Sequence, residues 1–406
     1  MSTNRRDFIK CMGVAASSLL AASAVPSIAI GSNEQTKGQS PIFDSVNIGS
    51  LKLKNRVFLS AMGMHRSNID GNPTPDLMRV YNEFAAGGVA MLITGLSYIL
   101  KEDQSGKAVP GFYDDSQIAA YKELTDGIHK NGSKICIQLT LNGTRSTYNL
   151  ENRRNLAPSP LTDVTGIEVK EGMTKEEIKY CIDAFAKAAV RSQKAGFDAV
   201  EFHFCHHYVI SKFFAPYYNT RTDEYGGKEI ENRARFGFEI VEAVRKAVGK
   251  DFPLIAKIEG NDYYGRGNAQ KDINYIAQGL ADRGIDALEI SGGSSSDAKY
   301  RNIVSDILYK EDQCYFSRNA RNLAKSVNIP LILTGGVRDV ELMETALEHN
   351  KNLVAFSLAR TLLREPDLPL IWQKNTSYIP KCISCNWCID NVGKHATQCT
   401  FRKDQA

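Results

Sequence analysis

Three histidines and a tyrosine fall within six consecutive positions: His203, His206, His207 and Tyr208. Imidazole is the side chain whose proton exchanges nearest neutral pH, and a phenol keeps its proton to about pH 10. Together they suit hydrogen-bond donation and proton transfer to a bound molecule. The residues before them, Asp198–Phe202, are read as a buried strand, with Ala199, Val200 and Phe202 apolar and Glu201 the exception among them. A strand that ends in such a cluster delivers it to the mouth of a sheet or barrel.

A second concentration of chemistry lies near the C-terminus. Cys382, Cys385, Cys388 and Cys399 occupy 18 residues, and thiols at that density ligate something or pair. Zinc commonly takes two separated CxxC or CxxH knuckles. A CxxCxxC run with one distal cysteine is the way a cubane [4Fe–4S] cluster is held. The spacing points to the cluster, with zinc or two disulfides as alternatives. Cys136 and Cys181 sit in strand and helix patterns and are expected to pack as small apolar groups; Cys205, between His203 and His206, is expected to pack as well, redox chemistry being the alternative.

The chain between these groups alternates strands and helices. Eight strands are read at Asn55–Ser60, Val89–Thr94, Lys134–Leu139, Asp198–Phe202, Pro253–Ile258, Asp286–Ile290, Pro330–Thr334 and Leu353–Leu358. Helices are expected over Asp76–Ala86, Asp115–Lys130, Glu231–Val248, and from a Thr174/Glu177 capping box to Ala195. After Tyr208 a polar, Gly-rich loop is expected. Pro41–Lys54 reads as a covering hairpin. Two strands carry a polar residue in apolar company, Gln138 and Lys257, and a buried amide or ammonium without a partner is costly. Gly95 permits close backbone approach to a ring or phosphate. Gly335-Gly336 and Ala359-Arg360 close the last two strands, where backbone N–H groups and an arginine can cradle a phosphate.

The run GFDAVEF followed by HxxHxY, then NTRTDEYGG and ENRARF, resembles the Old Yellow Enzyme family of FMN-dependent ene-reductases. The resemblance implies an α/β fold, a (β/α)8 TIM barrel holding FMN at the C-terminal ends of its strands. It assigns His203 and His206 to a substrate oxygen and Tyr208 to protonation of a substrate carbon. The turn Ala61-Met62-Gly63 would lie beside the flavin, with His65 where relatives often carry an active-site aromatic. Gln138 would meet the ring edge, and Lys257 stands where many relatives carry arginine against flavin N1 and O2. The cysteine run is similar to that of the cluster-bearing branch, trimethylamine dehydrogenase and 2,4-dienoyl-CoA reductase, with Ser384 in place of the usual glycine.

The 406 residues carry a formal charge of +4 and show no basic stripe interleaved with aromatics, so nucleic-acid binding is not expected. Arg5-Arg6, Phe8 and Lys10, followed by the apolar run Cys11–Ile30, resemble a twin-arginine export signal. An uncleaved N-terminal anchor is the alternative. The expected organisation is a signal over 1–31, a linker over 32–40, the FMN barrel over 41–375 and a cysteine-rich tail over 376–406. The expected function is an exported, periplasmic FMN oxidoreductase that reduces the C=C bond of an α,β-unsaturated carbonyl substrate. A periplasmic or membrane-anchored redox protein would feed it through the [4Fe–4S] cluster. An amine-type dehydrogenase working in the opposite direction, or a non-catalytic flavin/iron–sulfur carrier, are the alternatives. The sequence does not give the oligomeric state.

Overall fold

The computed structural model describes residues 39–146, 148, 151, 154–163, 166–261, 263, 267–294, 302–390 and 396–402. The signal-like segment 1–31 and nearly all of the linker lie outside the described residues, as does part of the loop 294–305.

Eight parallel strands close into a barrel: Val57–Leu59, Met91–Ile93, Lys134–Thr140, Ala199–Phe204, Leu254–Glu259, Ala287–Ser291, Leu331–Leu333 and Leu353–Leu358. The last pairs with the first, in register Phe356 with Val57, so no edge is left open. The antiparallel hairpin Val46–Ile48 and Leu51–Leu53 packs its apolar face on the barrel.

The strands alternate, so every second side chain points inward. At the N-terminal end the inward positions are apolar: Phe58, Met91, Cys136, Ala199, Ile255, Ala287, Ile332 and Ala355 form one cluster with Ile48, Leu51 and Leu53 of the hairpin. Two residues further along, seven of these strands turn polar, at Ser60, Gln138, Glu201, Lys257, Glu289, Thr334 and Ser357, while the second stays apolar at Ile93. One end of the barrel is thus a plugged apolar core and the other a polar floor. The larger apolar cluster lies between the strands and the surrounding helices.

The helices follow the sequence signals closely. Thr174 and Glu177 form the reciprocal capping box of Lys175–Lys194, and Thr74 caps Pro75–Ala86. One expectation fails. The residues after Tyr208 are not a loop but the helix Val209–Phe214, all of it buried. Val209, Ile210, Phe213 and Phe214 recur at helical spacing, and their burial outweighs the neighbouring polar signals. The polar, Gly-rich turn begins later, where Arg221 and Asp223 form a two-pronged ion pair.

Candidate active site

The C-terminal ends of the strands open on a cavity of about 330 Å³, within the range of small-molecule sites. Its lining includes Ser60, Ala61, Met62, Gly63, His65, Gln138, His203, His206, Tyr208 and Lys257. Gly335, Gly336, Ala359 and Arg360 line it as well, with Cys382 and Cys388 of the tail. Residues as far apart in the chain as Ser60 and Cys388 therefore line one cavity.

His203, the penultimate residue of the fourth barrel strand, pairs with Lys257 of the fifth. Its ring centre is 4.3 Å from that of Tyr208 and 5.1 Å from that of His206. Burial holds both imidazoles well below their ordinary pKa, with the charges of Lys257 and Arg145 acting in the same direction. Both are therefore neutral, each with one N–H to give. His203 Nδ1 is buried without a hydrogen-bond partner, as expected of a group that serves a ligand. His206 Nε2 lies 2.7 Å from Ser291 Oγ. Burial raises the Tyr208 phenol above its usual value, against the opposing charge and hydrogen bond of Arg145. Arg145 sits 5.3 Å from the centre of the Tyr208 ring. His207 faces elsewhere, its Nδ1 3.2 Å from the Tyr218 hydroxyl.

The backbone is bent at this mouth. His65, His206 and His207 have φ of 51°, 59° and 59°. Non-glycine residues in this region cost on the order of 1–3 kcal/mol each and concentrate at functional sites. His65 lines the cavity and burial lowers its pKa.

The floor is ionic. Lys257 Nζ lies 3.1 Å from Glu289 Oε1, 3.9 Å from Glu201 Oε1 and 3.4 Å from Ser60 Oγ. Gln138 Nε2 donates to Glu201 Oε1 at 2.5 Å, so the buried amide and the buried ammonium both have partners. Burial would lower the Lys257 pKa, but the two carboxylates overrule it and hold it above the usual value. The lysine stays charged in the cavity lining, where it would stabilise negative charge on a bound reduced flavin. Gly335 and Gly336, with φ of 94° and 71°, form the turn at the other side. A Cβ on Gly335 would meet Tyr315 and Phe316 at 2.6 Å. These features fit FMN: a cation and an amide for the ring and a glycine turn for the phosphate.

Two expectations change. Gly95 does not line the cavity; a Cβ there would meet the Met62 carbonyl oxygen at 2.5 Å. Its missing side chain makes room for the Ala61–Gly63 turn rather than for a ligand. Arg360 is not held for a phosphate alone, since its NH1 donates to Val304 O at 2.8 Å and to Asn386 Oδ1. Glu201, Glu289, Ser291 and Ser357 were not foreseen as site residues, whereas Arg145 falls in the run Asn142–Arg145 that the sequence offers as an active-site loop. An acid two positions before His203, and another at the matching place in Ala287–Ser291, were the available signals.

The tail lies along the cavity wall. Thr397 Oγ donates to Gly63 O at 2.6 Å, and Thr397 N donates to Met64 O at 2.9 Å. Cys382, Cys385, Cys388 and Cys399 are not paired in disulfides, and burial pushes the Cys388 thiol up to about 11. Among the described residues, no three metal-ligating side chains are drawn together closely enough to hold an ion.

Residues 41–377 match the NADH:flavin oxidoreductase / NADH oxidase family. The chain is 34% identical over 330 residues to an NADPH dehydrogenase of Clostridium acetobutylicum, covering 80% of this chain and 92% of that one. It is 31% identical over 355 residues to a metal reductase of Desulforamulus reducens, covering 86% of this chain and 52% of that protein. The chain thus spans about half the length of that relative. Among solved structures, a 2-naphthoyl-CoA reductase complex superposes with a TM-score of 0.81 at 23% identity, over 88% of this chain and 56% of that one. At that identity the likeness speaks for the fold.

Proposed function

This chain belongs to the NADH:flavin oxidoreductase / NADH oxidase family, and from that premise we propose that it reduces activated C=C bonds of α,β-unsaturated carbonyl compounds. The supporting observation is the convergence of His203, His206, Tyr208, Gln138 and Lys257 on one cavity. Bound FMN supplies the hydride. The protein's part is to hold and polarise the acceptor. Two neutral imidazoles can donate to the substrate carbonyl oxygen, drawing electron density from its β-carbon, without adding a full charge to the site. The Tyr208 phenol, protonated across the neutral range, is placed to give its proton to the α-carbon. Lys257 at the flavin edge favours the electron-rich form of the cofactor.

We further propose that the four tail cysteines hold a [4Fe–4S] cluster, that residues 1–31 direct export, and that a one-electron redox protein is the donor. Their support is the CxxCxxC run with its distal cysteine, the four free thiols and the position of Cys382 and Cys388 at the cavity wall. The proposal requires the tail to draw its sulfurs closer when iron binds.

Titration of the flavin-loaded protein with a phenol is the decisive test. A long-wavelength band is expected on binding, and its loss in His203→Ala is required. Iron and sulfide analysis of anaerobically purified protein tests the tail, with about four irons per chain expected. Turnover of an amine in place of an enone would reverse the proposed direction. No perturbation by either compound would reduce the protein to an electron carrier.

A further inference from the structure

One cation faces two carboxylic acids inside the barrel. Lys257, Glu201 and Glu289 are all buried, both acids completely. The acids differ in their donors. Glu289 Oε1 accepts from Ser60 Oγ at 3.0 Å, from Ser357 Oγ and from Lys257 at 3.1 Å. Glu201 Oε1 accepts from Gln138, and Lys257 is 3.9 Å away. The Oε2 atom of each acid is buried and has no donor.

Two carboxylates beside one ammonium would leave a net negative charge in the barrel. An uncompensated buried charge costs several kcal/mol, and two acids sharing one site do not both ionise. Among the described residues, the other titratable groups beside this layer supply no compensating cation. Cys136 and Cys205 are held as thiols by burial, and His203 is neutral. Glu259, two residues on from Lys257, lies 3.9 Å from His207.

We propose that Glu201 and Glu289 hold a single proton between them, resident on Glu201. The floor of the cavity then has no net charge, and the two acids act as positioning residues that set the field Lys257 presents to the flavin. One proton removes the excess charge and gives the orphaned oxygens a bond. Residence on Glu201 follows from the richer donor set at Glu289. The same physics shows in the two acids themselves: burial and the neighbouring Glu289 push Glu201 well above the usual carboxyl range, whereas Lys257 and the hydrogen bonds hold Glu289 below it despite burial. The effect on the flavin rests on the FMN reading above; the shared proton does not.

The test uses the flavin-loaded protein with two readouts. Infrared spectroscopy at neutral pH should show the carbonyl stretch of an un-ionised carboxylic acid. Glu201→Gln and Glu289→Gln should each abolish it, because the acid that remains is ionised beside Lys257. The flavin midpoint potential should behave non-additively. Each single variant keeps the floor neutral and should shift the reduced-to-oxidised ratio less than tenfold. The double variant leaves Lys257 uncompensated and should raise it more than tenfold, about 30 mV for a two-electron couple. Absence of the un-ionised band in the wild-type protein would overturn the proposal whether or not the variants fold. Equal upward steps in the two single variants that sum in the double would overturn it as well. If FMN does not bind, the infrared result still decides the proton, so the two readings fail separately.

Discussion

Removing one histidine of the pair should cost much more than removing the other. His203 and His206 are both neutral donors, but their surroundings differ. His203 Nδ1 has no protein partner, so replacing the ring with alanine leaves nothing to take over its bond. His206 has Ser291 Oγ 2.7 Å from its Nε2, and Ser291 also lines the cavity. When His206 is removed, that hydroxyl is released and can donate toward the substrate oxygen. Loss of one preorganised donor costs roughly 10²–10³ in kcat, about 2.7–4 kcal/mol. His203→Ala should suffer this in full. His206→Ala should lose only about tenfold, near 1.4 kcal/mol. Ser291→Ala should cost little alone and about tenfold more when added to His206→Ala. The assay is anaerobic stopped-flow oxidation of the pre-reduced flavin by a cyclic enone, which isolates the step in which the substrate carbonyl is polarised. Equal losses in the two histidine variants would refute the reasoning, as would an additive contribution from Ser291 in both backgrounds.

Because burial lowers both imidazole pKa values and raises that of Tyr208, the same step should be level with pH from about 6 to 9; a limb near the ordinary imidazole value, about 6.5, would contradict it. Gly335→Ala adds a Cβ 2.6 Å from two aromatic rings at φ 94°, whereas Gly249→Ala at φ 82° meets nothing within 4 Å. Denaturant unfolding should show about 1 kcal/mol lost at Gly249 and about 2–4 kcal/mol at Gly335. Ser384 adopts φ 56°, so Ser384→Gly should stabilise the protein by up to about 1 kcal/mol in the same measurement. The raised pKa of Glu201 means that the folded state keeps a proton the unfolded chain gives up above about pH 4.5. Its contribution to stability is therefore full below that pH and falls by about 1.4 kcal/mol per pH unit above it, until the folded-state pKa is passed. Glu201→Gln should remove that slope, and parallel stability curves for the two proteins between pH 5 and 8 would contradict it.

The barrel was legible because its evidence is local. Each strand is a short apolar run, and each helix has a cap or an amphipathic face, as at Thr74 and Thr174. The cluster His203–Tyr208 was legible because its members are adjacent in sequence. The ionic floor was not. Glu201 and Glu289 read as isolated interruptions of apolar strands, and only barrel closure brings them to the same lysine. A period-two reading of the third to sixth strands shows the change from apolar to polar within each, at Cys136/Gln138, Ala199/Glu201, Ile255/Lys257 and Ala287/Glu289. Gly95 was misread for the opposite reason. Its lack of a side chain is a packing requirement of the facing Met62 carbonyl, and nothing local to Gly95 identifies that neighbour. The helix Val209–Phe214 was lost to the polar residues that follow it, although its own apolar spacing was available.

The tail joins the cavity through groups that a phosphate site would also use. Arg360, after the last strand, donates to Asn386, and Arg338, after the seventh, has NH1 2.6 Å from Ile307 O and 3.4 Å from Ser384 Oγ. Asn386 and Ser384 lie inside the CxxCxxC run, both at positive φ. On the opposite side, Thr397 holds the backbone of Gly63 and Met64. The cysteine run is therefore pinned between the two ends of the cavity, by an arginine at one and by the turn after the first strand at the other. A change that draws the four thiols together must move Ser384 and Asn386, and with them the guanidinium groups they engage. If the tail holds a cluster as proposed, its occupancy and binding in the cavity would be linked free energies, and by reciprocity each would affect the other equally. Reduced flavin affinity in Cys385→Ser, whose side chain does not line the cavity, would express that linkage without any direct contact.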